Sequence, residues 1–229
     1  MSTENGTDDA TDLWKQARSR LLPGVMIGST VEWYDFGLYA LMSALVFPRL
    51  FFPQLSPVFA TLASFGTFGA AFVARPIGAI VFGNVGDRSG RRNVLVITLV
   101  LMGACTTCIG LLPTYAAIGV LAPVLLVVLR LLQGLGAGAE YAGALVMTAE
   151  MAPAPRRGFL AALPGVGIYA GTVLASSVAA LVFTLPRAAL FSWGWRVPFL
   201  VSVLLIVIGV LLRVALPKPP AFTAVKAGG

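Results

Sequence analysis

Apolar and polar positions divide this chain into six long oily runs separated by short polar breaks. A helix that crosses a membrane needs roughly 20 mostly apolar residues. The pattern predicts such helices over about 21–47, 57–86, 93–112, 115–147, 158–184 and 196–216. Turn chemistry marks the breaks: "FPRLFFPQLSP" after the first run, "GNVGDRSGRR" after the second, "LPTY" after the third. "EMAPAPRRG" follows the fourth and "LPRAALFSWGW" the fifth. The expected organisation is a polar tail over 1–20, a six-helix bundle over 21–216 and a polar C-terminal segment over 217–229. The fold class is an all-α membrane protein.

Composition points the same way. Apolar residues make up 58% of the chain and charged residues 11%, whereas a soluble domain carries about 25% charged residues. The net charge of +7 is therefore read by position, not as affinity for nucleic acid. Residues 1–20 are acidic first and basic last. A secretory signal would start basic and hold a short apolar core, so the first run, with Glu32 and Asp35 inside it, is expected to be an uncleaved span.

The basic residues alternate across the breaks. Lys15, Arg18, Arg20, Arg88, Arg91, Arg92, Arg156, Arg157, Arg213, Lys218 and Lys226 fall on one side, eleven in all; Arg49, Arg187 and Arg196 fall on the other. The positive-inside rule then predicts that both termini are cytoplasmic. Gly134 and Gly138, and likewise Gly167 and Gly171, lie four apart and share a helix face. Such small faces let helices approach closely in lipid, within the chain or in a dimer, and packing within the chain is the default reading.

Chemistry is sparse. The chain has no histidine, no metal-ligand cluster, no nucleophile motif and no glycine loop for phosphate. An enzyme, a bound cofactor and ATP-driven transport are accordingly not expected. Cys105 and Cys108 share a helix face within an apolar run and read as small packing residues.

Five ionisable residues fall well inside spans: Glu32, Asp35, Arg75, Arg130 and Glu140. Such residues are expensive in lipid and usually face a cavity or each other. At about 1.5 Å per residue, Glu32, Arg75 and Glu140 lie about 15 Å from the cytoplasmic ends, with Asp35 and Arg130 deeper. Two charge layers are expected: Asp35 with Arg130 at the centre, and Glu32, Arg75 and Glu140 below. Fixed ion pairs that pin the bundle are one reading. The other is proton-coupled transport, in which a carboxylate alternates between an arginine and a proton. The arginine then holds an anionic substrate by paired hydrogen bonds. Trp33, Tyr34, Tyr39 and Gln133 offer amphipathic surface nearby.

The charged decapeptide resembles the signature of the major facilitator superfamily, Gly-x-x-x-Asp-Arg-x-Gly-Arg-Arg/Lys. Gly83, Asp87, Arg88, Gly90, Arg91 and Arg92 match. "RLLQG" (130–134) resembles a second signature, Arg-x-x-Gln-Gly. "EWYDFGLY" (32–39), "RPIGAIVFGNVGDRSGRR" (75–92), "RLLQGLGAGAEYAGA" (130–144), "RRGF" (156–159) and "WRVPFL" (195–200) are similar to its metabolite:proton symporter branch.

The resemblance implies a secondary carrier in a bacterial inner membrane, with protons and a small carboxylate or zwitterionic metabolite as partners. It implies proton coupling through Asp35 and Glu32, and substrate contacts from Arg130, Tyr34, Gln133, Arg75 and Glu140. It also implies a cytoplasmic gate formed by the decapeptide together with Glu150, in which the aspartate caps a helix of a second bundle. The family reads Glu-Ser/Thr-Pro-x-Phe where this chain reads "KPPAF" (218–222). It also has twelve spans in two halves, against six here. The expectation is a half-length carrier that works as a homodimer or with a separate second half; the alternative is a truncated fragment that does not transport and at most pairs with a full-length relative.

Overall fold

A computed structural model of the chain describes residues 4–152, 155 and 157–214, with side chains described from 24 onward except at 25, 91, 141, 142, 147, 150, 151 and 213. The regular elements among these residues are helices: α1 (Glu4–Leu45), α2 (Phe47–Phe51), α3 (Pro57–Ser89), α4 (Arg91–Leu111), α5 (Tyr115–Ile118), α6 (Leu121–Met151), α7 (Arg157–Phe183), α8 (Arg187–Ser192) and α9 (Val197–Val214). A 3-10 turn over Gly194–Arg196 leads into α9. The segment expected after 216, with "KPPAF", lies outside the described residues.

Five of the long helices, α3, α4, α6, α7 and α9, are long and apolar enough to cross a membrane. The sixth, α1, has its apolar stretch interrupted by Glu32 and Asp35, and it packs against α7 and α9 all the same. Large apolar side chains such as Phe59, Ile80, Val173 and Leu204 are exposed on the outside of the bundle, where lipid tails would solvate them.

The closest helix pairings are α1 with α7, α3 with α6, and α4 with both α6 and α9. Exchanging the first three long helices for the last three turns the α1–α7 pair into the α6–α3 pair and leaves α4–α9 unchanged. That is the signature of an inverted three-plus-three repeat.

Glycines make these pairings close. A Cβ on Gly134 would land on the carbonyl of Ala71, one on Gly138 on that of Arg75, and one on Gly78 on that of Leu135. Gly167 and Gly171 stand in the same way against the backbone of Met26 and Thr30. Both glycine pairs of the sequence therefore serve packing within the chain.

Several breaks differ from the sequence pattern. The decapeptide over 83–92 is not a loop: α3 continues to Ser89, one residue, Gly90, takes φ 92°, and α4 begins at Arg91. That φ lies in the left-handed region, which glycine adopts without steric cost. The run expected over 115–147 is split at Gly119, with φ 59°, into α5 and α6. The breaks after the first and fifth runs are themselves partly helical, as α2 and α8.

An aromatic core closes the end of the bundle away from Gly90. The Phe47 ring meets Tyr39 edge-on at 5.0 Å, Phe51 at 5.3 Å and Trp195 at 5.9 Å. Arg196 holds that end together, its Nη1 donating to the carbonyls of Gly110 at 2.8 Å and Leu112 at 2.9 Å. Those carbonyls close α4 and have no partner within their own helix.

Candidate functional site

Three helices bring four polar side chains together in the middle of the bundle. Asp35 comes from α1, Thr106 from α4, and Arg130 and Gln133, three apart and so on one face, from α6. All four are buried, Arg130 and Gln133 at 0% exposure. Arg130 Nη1 donates to Asp35 Oδ2 at 3.0 Å and to Gln133 Oε1 at 2.9 Å. Gln133 Nε2 donates to the same Asp35 Oδ2 at 3.0 Å and to Thr106 Oγ1 at 2.8 Å. Thr106 Oγ1 lies 2.8 Å from Asp35 Oδ1 and 2.9 Å from the Met102 carbonyl. The amide of Gln133 is oriented by its neighbours, since only its oxygen suits the arginine and only its nitrogen suits the carboxylate.

A buried ion pair is tolerated when further hydrogen bonds satisfy its remaining lone pairs. Asp35 meets that condition; Arg130 does not. Its Nε and Nη2 have no hydrogen-bond partner among the described residues. Aromatic rings flank the guanidinium instead, with Tyr39 at 3.8 Å, Phe36 at 4.8 Å and Phe68 at 5.5 Å.

The second group is nearer the Gly90 end. Arg75 Nη2 pairs with Glu32 Oε1 at 2.8 Å, the carboxylate buried and the arginine 24% exposed. Arg75 lies 4.2 Å from the Phe36 ring and 4.8 Å from Phe72. One ring, Phe36, thus serves both guanidinium groups. Glu140 is fully buried across the α4–α6 contact, where Thr98 Oγ1 donates to its Oε2 at 3.2 Å. Tyr34 lies in the core, its hydroxyl donating to the Pro198 carbonyl of α9 at 2.9 Å. Tyr39 bonds Thr67 at 2.6 Å, and Trp33 is half-buried with its ring 6.5 Å from that of Phe36.

Sequence reasoning passed over Thr106, Phe36 and Thr98. The available signal was a hydroxyl in mid-span, but serine and threonine there often bond their own helix.

At the Gly90 end, Asp87, Gly83 and Gly86 line a cavity of about 150 Å³ with Val94, Leu95 and Gly138. Asp87 and Arg88 are exposed and Arg92 is half-buried. The side chains of Arg91 and Glu150, both expected at the gate, lie outside the described residues. Cys105 is buried and Cys108 exposed, both free thiols. Among the described residues no three His, Cys, Asp or Glu side chains are grouped to hold a metal ion.

Long apolar helices in a three-plus-three repeat around a buried, hydrogen-bonded ion pair define a multi-span helical membrane protein. The chain belongs to the sugar (and other) transporter family, whose model matches residues 22–228. It is 50% identical over 193 residues to the putative transporter YdfJ of Escherichia coli K12, covering 84% of this chain and 45% of that protein. It is 41% identical to the shikimate transporter of the same strain, covering 94% of this chain and 49% of the relative. The chain thus spans about half the length of the curated relatives it matches. Its fold superposes on the crystal structure of a D-xylose–proton symporter with a TM-score of 0.78 at 22% identity, over 93% of this chain and 51% of the other.

Proposed function

We propose that this bundle takes part in proton-driven uptake of a small carboxylate-bearing or zwitterionic metabolite. Asp35 carries the proton, with Glu32 as a second acid, and Arg130 anchors the substrate. One observation carries the reading: Arg130 reaches Asp35 through Nη1 alone, while Nε and Nη2 are buried without a hydrogen-bond partner among the described residues. Those two donors form one edge of the guanidinium fork, the edge that a planar carboxylate engages with two parallel bonds. A buried donor left unsatisfied costs about 1–3 kcal/mol, and a substrate carboxylate relieves that cost. Protonation of Asp35 removes the carboxylate charge and leaves Arg130 Nη1 a neutral, weaker acceptor, so the proton loosens the arginine toward the substrate.

The partly exposed Arg75, between Phe36 and Phe72, receives the anion first, and Gln133 and Glu140 complete the polar lining. Tyr34 supports α1 from the core. A hydroxylated carboxylate such as shikimate is the first substrate to test, given the relative that carries that name. Alternating access needs an opposing wall, the place of a second six-helix bundle, and the segment over 83–92 latches to it through Asp87. The setting is a bacterial inner membrane with both termini cytoplasmic.

Proteoliposomes holding this bundle, given an inward proton gradient and labelled carboxylates, test the reading. Asp35→Asn is expected to abolish gradient-driven accumulation while exchange down the substrate's own gradient persists. Arg130→Lys keeps the charge but loses the two-donor edge, and KM is expected to rise about tenfold or more, the loss of one charged hydrogen bond. Accumulation that survives in Asp35→Asn would overturn the proton role.

A further inference from the structure

We infer that the coupling proton is seated on Oδ1 of Asp35, and that Thr106 is the positioning residue that receives it. This rests on the reading of Asp35 as proton carrier and adds where the proton goes. The two carboxylate oxygens are not equivalent. Oδ2 accepts from both Arg130 Nη1 and Gln133 Nε2, each at 3.0 Å. A proton placed there would face two N–H groups. Oδ1 has one hydrogen-bond partner among the described residues, Thr106 Oγ1 at 2.8 Å.

A threonine hydroxyl has one hydrogen to give and two lone pairs to receive. Thr106 has two acceptors in reach, Asp35 Oδ1 at 2.8 Å and the Met102 carbonyl at 2.9 Å, and one donor, Gln133 Nε2, also at 2.8 Å. While Asp35 is charged, the hydroxyl hydrogen goes to the carboxylate, because a charge-assisted bond is the stronger. The Met102 carbonyl keeps the backbone bond of α4 in the meantime. When Oδ1 takes up a proton, the new O–H donates to Thr106 Oγ1, and the hydroxyl hydrogen turns to Met102. The hydroxyl then has both lone pairs and its hydrogen engaged, and no heavy atom has moved. Two protonation states of a buried acid are both fully hydrogen-bonded through the rotation of one O–H.

The other ionisable groups near Asp35 do not offer this. Arg130 faces it from α6, Arg75 from α3 and Cys105 from α4, with Glu32, Tyr34 and Tyr39 on α1 itself. Beyond Arg157, α7 carries only Tyr169, which is exposed, and the ionisable residue of α9, Arg213, lies in its last turn.

Infrared difference spectra of the full chain in lipid, taken between high and low pH, read this directly. The carbonyl stretch of protonated Asp35 is identified by its absence in Asp35→Asn. In Thr106→Val, of similar shape but without the hydroxyl, that band is expected to move to higher frequency, because its O–H has lost an acceptor. In Thr106→Ser it is expected to stay at the wild-type position. Proton-driven uptake is expected to fall about tenfold in Thr106→Val, the loss of one hydrogen bond to a charged group, and to return in Thr106→Ser. If Thr106→Val does not fold, Thr106→Cys, with a thiol that bonds only weakly, is read in its place. An Asp35 band that keeps its position in Thr106→Val, or moves equally in Thr106→Ser, overturns the role of Thr106 while leaving Asp35 as the carrier. The absence of any band lost in Asp35→Asn overturns the proton reading and this inference with it.

Discussion

Removing one member of the Asp35–Arg130 pair is not the mirror image of removing the other. Arg130→Ala leaves a carboxylate in a fully buried place with only Gln133 and Thr106 to hold it, and breaking a buried pair in this way costs about 3–5 kcal/mol. Asp35→Asn leaves a neutral amide that still accepts from Arg130, and the arginine keeps its aromatic neighbours Tyr39 and Phe36. Thermal unfolding in detergent should therefore place Arg130→Ala well below Asp35→Asn, with the double variant above Arg130→Ala alone. A double variant that melts no higher would show that the stranded carboxylate is not what destabilises the single one. The pair was legible in the sequence because ionisable residues stand out in an apolar run. Thr106 was not, because hydroxyls in spans usually serve their own helix, as Thr30, Thr107 and Thr148 do here. Phe36 was invisible for a different reason: a phenyl ring beside two arginines has the same letter as one in a core.

Between helices, backbone proximity rather than side-chain volume sets the geometry of the site. Arg130 and Gln133 sit on the stretch of α6 whose Gly134 and Gly138 touch the carbonyls of Ala71 and Arg75 on α3. A methyl group at either glycine meets backbone, which cannot turn aside, and overpacking of this kind costs about 1–3 kcal/mol. Gly134→Ala and Gly138→Ala are thus expected to lower the melting temperature and to weaken any uptake that depends on Arg130. Gly66→Ala and Gly69→Ala are the controls, for a Cβ at either meets nothing within 4 Å. Equal losses at all four positions would show that helix propensity, not interlock, is being measured. The glycine spacing made these faces readable at once. The short helices were not: α2, α5 and α8 have 5, 4 and 6 residues, too few for a period to show. The decapeptide announced its chemistry but not its conformation, because a single left-handed glycine between two helices looks, letter by letter, like a loop.

At the scale of the whole molecule, the bundle's near-symmetry hides its direction. The first three long helices and the last three pair in the same manner, so packing does not say which end faces the cytoplasm. Charge breaks the tie. Arg88, Arg91 and Arg92 cluster at the α3–α4 end, while Arg187 is the one basic residue between α7 and the 3-10 turn at the other. Short basic segments resist translocation across the membrane, which predicts that the Gly90 end faces the cytoplasm. Ser89 and Thr184 are both exposed, at opposite ends. With Cys105 and Cys108 replaced by alanine, Thr184→Cys is expected to react with an impermeant maleimide on intact cells. Ser89→Cys is expected to react only after permeabilisation. Neutralising Arg88, Arg91 and Arg92 together is then expected to raise the fraction of Ser89→Cys labelled from outside, because the charge that retains that end has been removed while the packing still permits either orientation. Labelling of Ser89→Cys on intact cells without that neutralisation would reverse the orientation, and would put the segment over 83–92 on the wrong side to serve as a cytoplasmic latch.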